Sequence, residues 1–234
     1  MNITETNVDS VGNEVVIRLR ENSLPKIEEY QDGIKIGEGI YTNETVASIL
    51  LQSIETKGMA TPVLPRGALY YTESTRGTSY CFIEVPPHRR TVYYHEATIE
   101  NVPFPRLIFG FTLISREQKY DISQVMIAAL EDQCLVSEDS EIYYYPYTNV
   151  DDKFVVCWGG SRLPSLDRVS QLTTIPELFF NSPNSDCYYQ SSNSSGMTYR
   201  ELVGTLQGKE FPDKYLKKTG LKLNDWLEKK APRI

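Results

Sequence analysis

The residues of this chain that could do chemistry are a cysteine and an asparagine placed eight residues apart. Cys157 ends a short apolar run, and Asn149 follows the stretch Tyr-Tyr-Tyr-Pro-Tyr-Thr. A thiolate is a good nucleophile and can carry an acyl group as a thioester. An asparagine amide can donate a hydrogen bond to the oxyanion that forms during acyl transfer. The pair is therefore a candidate acyl-transfer site, with Cys157 as the nucleophile and Asn149 as the oxyanion donor.

Two other interpretations of Cys157 stay open. A cysteine in an apolar strand is commonly a small buried residue without chemistry. A cysteine–histidine hydrolase is the other possibility, but the chain has only two histidines, His88 and His95, and the sequence places neither beside Cys157. No histidine is needed if an activated acyl group and an attacking amine both arrive from outside the chain.

Several neighbours of the pair have both a functional and a structural interpretation. Trp158 either grips a partner beside the nucleophile or packs in the core. Asp151, Asp152 and Asp186 either orient an incoming amine or make the local hydrogen bonds of turns and loops. The remaining cysteines are interpreted as structural or incidental: Cys81, Cys134 and Cys187.

The elements that must position the pair are predicted from alternation and turn signals. Residues 141–145 predict a strand, and residues 149–158 predict an irregular loop that runs into a short strand at 154–157. Residues 181–196 are rich in Asn, Ser, Asp and Pro, which predicts a long polar loop that is mobile or functional.

Around these elements the pattern predicts an antiparallel meander followed by helices. Short strands with turn signals between them are expected at residues 69–73, 79–85, 90–95 and 107–115. Helical spacing of apolar residues predicts a helix over residues 122–131, capped by Asp121. Three further helices are predicted to begin at Pro176, at the Thr198–Glu201 capping box and at Pro212, with a last turn or two over residues 223–230.

The first 60 residues look like an extension to this core. They predict a strand at 14–20, a hairpin at 27–36 that turns at Asp32-Gly33, and a helix at 44–55. We therefore expect two parts, an N-terminal extension at 1–60 and a core with C-terminal helices at 61–234. The fold class expected is α+β, with an antiparallel meander sheet, flanking helices and an N-terminal β/α extension.

Composition excludes several classes of protein. The chain has 234 residues, 40% of them hydrophobic and 24% charged, which indicates a folded globular protein. A net charge of −7 argues against a nucleic-acid partner. No apolar run reaches the roughly 18 residues of a membrane span, and the start does not resemble a secretory signal, so we expect a cytoplasmic protein. Four separated cysteines predict neither a zinc site nor a disulfide framework. We expect no cofactor.

The motifs around Cys157 resemble those of the ubiquitin-conjugating (UBC) superfamily. There a Pro-rich segment precedes an apolar strand, and a nucleophilic cysteine follows an Asn by eight residues. The chain is more similar to a bacterial branch, prokaryotic UBC-like family D, whose members include a plasmid-associated protein. The matching motifs are Val102-Pro-Phe-Pro105, Pro146-Tyr-Thr-Asn149-Val150, Val156-Cys157-Trp-Gly159, Arg162-Leu-Pro164 and Phe179-Phe-Asn-Ser182. The resemblance spans about residues 64–211.

This resemblance implies a function and two protein partners. Cys157 would accept the C-terminal carboxyl of a small ubiquitin-like modifier protein from an adenylating enzyme, and would pass it to an amine as an acyltransferase. Asn149 would serve the oxyanion. The chain departs from the superfamily at Tyr147 and Thr148, where His and Pro are usual, and at Phe154, where Gly is usual. These departures favour a second hypothesis, a catalytically inactive UBC-like interaction module of a plasmid, phage or other mobile element.

Overall fold

The computed structural model describes residues 12–53, 61–74, 77–132, 135–189 and 192–231. The chain divides into two compact units, Met1–Ala60 and Thr61–Ile234. In the described part of the chain, no helix combines the length and the hydropathy that a membrane span requires.

The first unit contains a small antiparallel sheet and a helix. Strands β1 (Asn13–Arg18), β2 (Lys26–Gln31) and β3 (Ile34–Ile40) pair in that order, and α1 spans Asn43–Ser53. Asp32 and Gly33 have positive φ angles of 51° and 76°, as a two-residue hairpin turn requires. The predicted hairpin and helix are therefore confirmed, although the predicted end of the helix at residues 54–58 lies outside the described residues.

The second unit is built on a larger antiparallel sheet. Its strands are β4 (Ala68–Glu73), β5 (Thr78–Val85), β8 (Arg106–Arg116), β9 (Lys119–Leu130), β10 (Glu141–Tyr144), β11 (Ser165–Leu166) and β12 (Lys218–Lys222). The order across the sheet is β12-β10-β9-β8-β5-β4, and β11 pairs with β9. Strands β6 (His88–Tyr94) and β7 (Ala97–Phe104) form a separate hairpin. The expected α+β meander is confirmed, and β7 is a strand that the sequence analysis did not predict.

The helix predicted over residues 122–131 is wrong. That segment is β9, which pairs with β8 from Arg116↔Lys119 to Arg106↔Leu130. The apolar run from Val125 to Leu130 is continuous because both faces of β9 are buried. Such a run shows no period-2 alternation, so its spacing also fits a helix.

Two apolar cores cover the two faces of the sheet. On β8, Leu107 and Phe109 belong to the larger core, whereas Ile108 between them belongs to the smaller one. On β9, Ile127 and Met126 are divided in the same way. Successive side chains of a strand point to opposite faces, so these central strands hold both cores together.

Short helices cover both faces. They are a 3-10 helix at Val169–Thr174, α2 (Ile175–Phe180), α3 (Tyr199–Leu206), a 3-10 turn at Asp213–Tyr215 and α4 (Leu223–Lys230). The predicted capping box at Thr198 and Glu201 is confirmed. The helix predicted from Pro212 is wrong, because only the 3-10 turn forms before the chain enters β12, where Gly220 has a φ of +76°. Pro212 can begin a helix, but the following β-ladder with β10 takes the chain into the sheet.

Candidate active site

Cys157 lies where a short segment leaves the edge of β9. The Val156 N–H donates to Val125 O at 2.9 Å, and the Ile127 N–H donates to Phe154 O at 2.8 Å. Isolated bridges, rather than the predicted strand at 154–157, hold this segment. Phe154 and Val156 are buried, whereas Cys157 is exposed. The cysteine is therefore presented on the surface by a segment whose preceding residues are fixed in the core.

The Asn149 backbone lies directly beside Cys157. The Cys157 N–H donates to Asn149 O at 2.8 Å, and the Asn149 N–H donates to Cys187 O at 3.0 Å. Asn149 has a φ of 68°, in the left-handed region that Asn tolerates better than most residues. The structure thus brings the two predicted site residues together and adds the 181–196 loop to them.

The Asn149 side chain binds the same loop. Its Nδ2 donates to Pro183 O at 2.9 Å, and its Oδ1 accepts a hydrogen bond from Ser185 Oγ at 3.3 Å. The residue is 9% exposed. Next to it, Thr148 Oγ1 donates to Asn184 Oδ1 at 2.9 Å. One N–H of the Asn149 amide therefore holds residues 183–185, and the other donates to no protein atom among the described residues.

These loop partners were missed as individual residues by the sequence analysis. The sequence predicts residues 181–196 only as a polar loop. The Asn-Ser-Pro-Asn-Ser-Asp composition was the available signal, because such side chains commonly bind nearby backbone groups. Their partner, Asn149, lies more than 30 residues earlier, so the composition could not identify it.

Phe154 stands where the sequence resemblance leads one to expect Gly, and its backbone adopts a conformation that Gly tolerates best. Its φ is 72°, a conformation that costs an ordinary residue about 1–2 kcal/mol. Its ring stacks on Tyr144, with the centroids 5.4 Å apart, and lies 5.4 Å from Trp226 of α4. Lys230 Nζ lies over the same ring and donates to Lys153 O at 3.1 Å. Packing against α4 thus offsets the backbone strain and fixes the segment before Cys157.

Tyr147 and Thr148 stand where the sequence resemblance leads one to expect His and Pro, and both have structural contacts here. The Tyr147 side chain is 1% exposed, and its hydroxyl donates to the carbonyl of Pro103 in the Pro-rich segment. Its ring packs edge-on against Phe104 and Phe211, with centroids 5.1 and 5.9 Å away. Burial raises the pKa of Tyr147 well above its ordinary value, so this hydroxyl is a neutral donor.

The two histidines occupy different environments. His88 is stacked on Phe104, with ring centroids 5.2 Å apart, and its Nδ1 lies 2.8 Å from Pro86 O. His88 also lines a cavity of about 650 Å³. His95 Nε2 lies 3.6 Å from Asp186 Oδ2. Neither histidine makes a hydrogen bond or an ion pair with Cys157 among the described residues, so the geometry does not support a cysteine–histidine hydrolase.

Of the other candidate residues near Cys157, some make structural contacts and some are exposed. Asp151 Oδ1 accepts hydrogen bonds from the N–H groups of Lys153 and Val155 at 2.9 and 2.7 Å, which confirms its interpretation as a turn residue. Asp152 is exposed. Trp158 is half-buried, and its ring meets Phe179 edge-on at 6.1 Å.

Asp186 and the other cysteines complete the set of candidates. Asp186 Oδ1 accepts a hydrogen bond from the Tyr94 hydroxyl at 2.7 Å. Cys81 is buried, which raises the pKa of its thiol to about 12, and Cys187 is exposed. Cys134 lies outside the described residues. Within the described ranges, no three His, Cys, Asp or Glu side chains are grouped so that they could hold a metal ion.

An antiparallel sheet with flanking helices and an exposed cysteine beside Asn149 is compatible with a ubiquitin-conjugating-like fold. The family model of prokaryotic E2 family D matches residues 48–219, which is most of the chain. The chain belongs to prokaryotic E2 family D, and the resemblance noted in its sequence is confirmed. The matched region contains Asn149 and Cys157, and it leaves out the sheet of the first unit and α4. Comparison with curated proteins and with solved structures gave no match.

Proposed function

We propose that this chain is a thioester carrier for a small ubiquitin-like modifier. Cys157 accepts the C-terminal carboxyl of the modifier from an adenylating enzyme and passes it to an amine. The observation that carries this proposal is the exposure of Cys157 at the end of a fixed segment, in a chain that belongs to prokaryotic E2 family D. A buried cysteine would not reach a partner protein, and Cys81 shows that burial also keeps a thiol protonated.

The chemistry assigns separate tasks to Cys157 and Asn149. The thiolate of Cys157 forms a thioester with the modifier, and the amine later attacks that carbonyl carbon. Asn149 donates its remaining amide N–H to the oxyanion, while its other N–H holds Pro183. The acyl group arrives activated and the amine arrives on the acceptor, so the proposal requires no histidine.

A second candidate function is a non-catalytic interaction module of a mobile element. The binding of the Asn149 amide to Pro183 and Ser185 favours it, because the same contacts would be kept in a site that only preserves the fold. The burial of Tyr147 at the usual His position agrees with this candidate too.

An assay of the covalent adduct tests the first candidate. The protein is incubated with ATP and with the adenylating enzyme and modifier encoded in the same genetic neighbourhood. We expect an adduct that disappears on reduction, that becomes resistant to reduction or is lost in Cys157→Ser, and that is absent in Cys157→Ala. Cys187→Ser is the matched control, because Cys187 is also exposed and also contacts Asn149. An adduct that persists in Cys157→Ala would place the nucleophile elsewhere, and the absence of any adduct would favour the interaction module.

A further inference from the structure

The two glycines that follow Cys157 and Trp158 form a tight left-handed turn. The Ser161 N–H donates to Trp158 O at 2.9 Å and closes the turn around Gly159 and Gly160. Their φ angles, 56° and 93°, match the two central positions of a type I′ turn. Both glycines are exposed, and a Cβ on either would meet no atom within 4 Å. Packing therefore leaves the outside of this turn open.

Apart from the Ser161 N–H, the N–H groups at this turn have no acceptor in the part of the chain that the structure describes. Among the described residues, the N–H groups of Trp158, Gly159 and Gly160 donate to no protein atom. Successive backbone N–H groups in turn conformations form concave sites that bind anions. In another class of acyl-transfer enzyme, backbone N–H groups rather than side chains form the oxyanion hole. Here three free N–H groups follow the candidate nucleophile directly.

Asn149 alone gives limited support to an oxyanion. Its Nδ2 already donates to Pro183 O, and its Oδ1 accepts from Ser185, so one N–H is left. Acyl-transfer sites commonly use two or more donors, which act together on the developing charge. The turn after Cys157 supplies donors that are fixed by the backbone and need no side chain.

We propose that the backbone N–H groups of Gly159 and Gly160 bind the oxyanion formed at the Cys157 thioester. This inference rests on the proposed function and assigns further donors to the same site. The attacking amine forms a C–N bond to the thioester carbon, the carbonyl π electrons move to oxygen, and the two N–H groups donate hydrogen bonds to the resulting oxyanion. The oxyanion then re-forms the C=O bond, the C–S bond breaks so that Cys157 leaves as a thiolate, and the proton of the amine passes to water.

Replacement of a single N–H by an ester oxygen tests the proposal without changing a side chain. Native chemical ligation joins a C-terminal thioester to an N-terminal cysteine. The full chain can therefore be assembled from residues 1–156 and a synthetic segment that begins at Cys157. Glycolic acid at position 159 or 160 removes only the N–H. D-alanine at position 159 is the matched control, because it keeps both the N–H and the positive φ. The ester proteins, the D-alanine protein and their parent all carry Cys134→Ser and Cys187→Ser, so Cys157 and the buried Cys81 are the only thiols they keep.

The acyl group is loaded chemically, so the test does not require the modifier to be known. N-acetyl-glycyl-glycine is transferred to Cys157 from its mercaptoethanesulfonate thioester, and mass spectrometry follows its aminolysis by free lysine. We expect each ester substitution to slow aminolysis by about 10- to 100-fold, below the loss at fully enclosed oxyanion holes because the turn is exposed. The D-alanine protein should react like the unmodified one.

The possible failures are distinguishable. Unchanged aminolysis in both ester proteins, together with slow aminolysis in Asn149→Ala, would overturn the role of the turn and keep the proposed function. The same acyl group is also loaded on Cys187 in a Cys157→Ser protein that keeps Cys187. If aminolysis at Cys157 is no faster than at Cys187, both the role of the turn and the proposed function are overturned.

Discussion

The N–H of Cys157 donates to the carbonyl oxygen of Asn149 at 2.8 Å, which closes the seven residues between them into a loop. The Asn149 side chain faces the other partner of this site, residues 183–185. The spacing of the two residues is thus maintained by their backbones. The amide side chain fixes the neighbouring loop, and its remaining N–H is the only side-chain donor that it can offer to a reaction.

Asn149→Ala is expected to separate the catalytic contribution from the structural one. The variant loses the amide bonded to Pro183 and Ser185, and it places alanine, which tolerates the left-handed region less well than Asn, at a φ of 68°. We expect a loss of about 1–3 kcal/mol in the free energy of unfolding. Charging of Cys157 should persist, whereas discharge onto an amine should slow. Urea unfolding and single-turnover discharge measure the two effects.

Asn149→Gly is the matched control for the backbone, because glycine accepts the positive φ without strain. It should recover part of the lost stability but none of the lost discharge rate. Discharge at the normal rate in Asn149→Gly would show that the amide holds the loop and does not serve the oxyanion.

Phe154→Gly is expected to lower the free energy of unfolding less than Phe154→Ala does. Both substitutions remove the ring that packs on Tyr144 and Trp226, a loss of about 3–5 kcal/mol. Alanine keeps the strain of the positive φ, whereas glycine relieves it by about 1 kcal/mol. Phe154→Gly should therefore be the more stable variant in urea unfolding. The opposite order would mean that the backbone at residue 154 is not strained.

Part of this site and fold could be predicted from the sequence, and β9 shows why the rest could not. The apolar residues from Val125 to Leu130 face two cores, so the alternation that identifies a half-buried strand is absent. The turn before them, at Glu117 and Gln118, adopts positive φ angles of 47° and 67° without Gly or Asn. The hairpin at Asp32-Gly33 was predictable because its turn residues have the usual identity.

The candidate site also contains features that the sequence predicts and features that it does not. The sequence singles out Cys157 and Asn149 because one local spacing relates them, and the structure places their backbones side by side. The contacts of Asn149 with Pro183 and Ser185 depend on the path of a long loop, which local patterns do not determine. The structural tasks of Tyr147 and Phe154 are also set by distant partners, Pro103 and Trp226.

His88 is expected to make stability depend on pH. Burial lowers the pKa of its imidazole below the usual 6.5, and nearby Arg90 lowers it further, whereas the carbonyl of Pro86 and Glu177 act in the opposite direction. The unfolded chain therefore takes up the proton first as the pH falls. The contribution of His88 is fully present above pH 6.5 and is lost as the pH falls below it.

The comparison of His88→Gln with His95→Gln at pH 7.5 and 5.5 measures this effect. His95 is the matched control because its side chain is 59% exposed. The loss of stability between the two pH values should be smaller in His88→Gln than in the parent and in His95→Gln. An equal loss in all three proteins would assign the pH dependence to other groups.

The double substitution Tyr147→His with Thr148→Pro restores the residues that are usual in the wider superfamily, and we expect it to destabilise this chain. The Tyr147 hydroxyl bonds the buried carbonyl of Pro103, and its ring contacts Phe104 and Phe211. Thr148→Pro also removes the hydroxyl bonded to Asn184. The loss of buried contacts and of both hydrogen bonds should reduce the free energy of unfolding by about 3–5 kcal/mol.

The same variant should not discharge the Cys157 thioester faster than the parent. Tyr147 and Thr148 act on the core and on the 181–196 loop, so their replacement disturbs the loop that holds Asn149 rather than restoring a lost catalytic group. The single substitution Tyr147→Phe is the control, because it keeps the ring and removes only the hydroxyl. Faster discharge in the double variant, with stability unchanged, would show instead that Tyr147 and Thr148 mark a site that has lost activity.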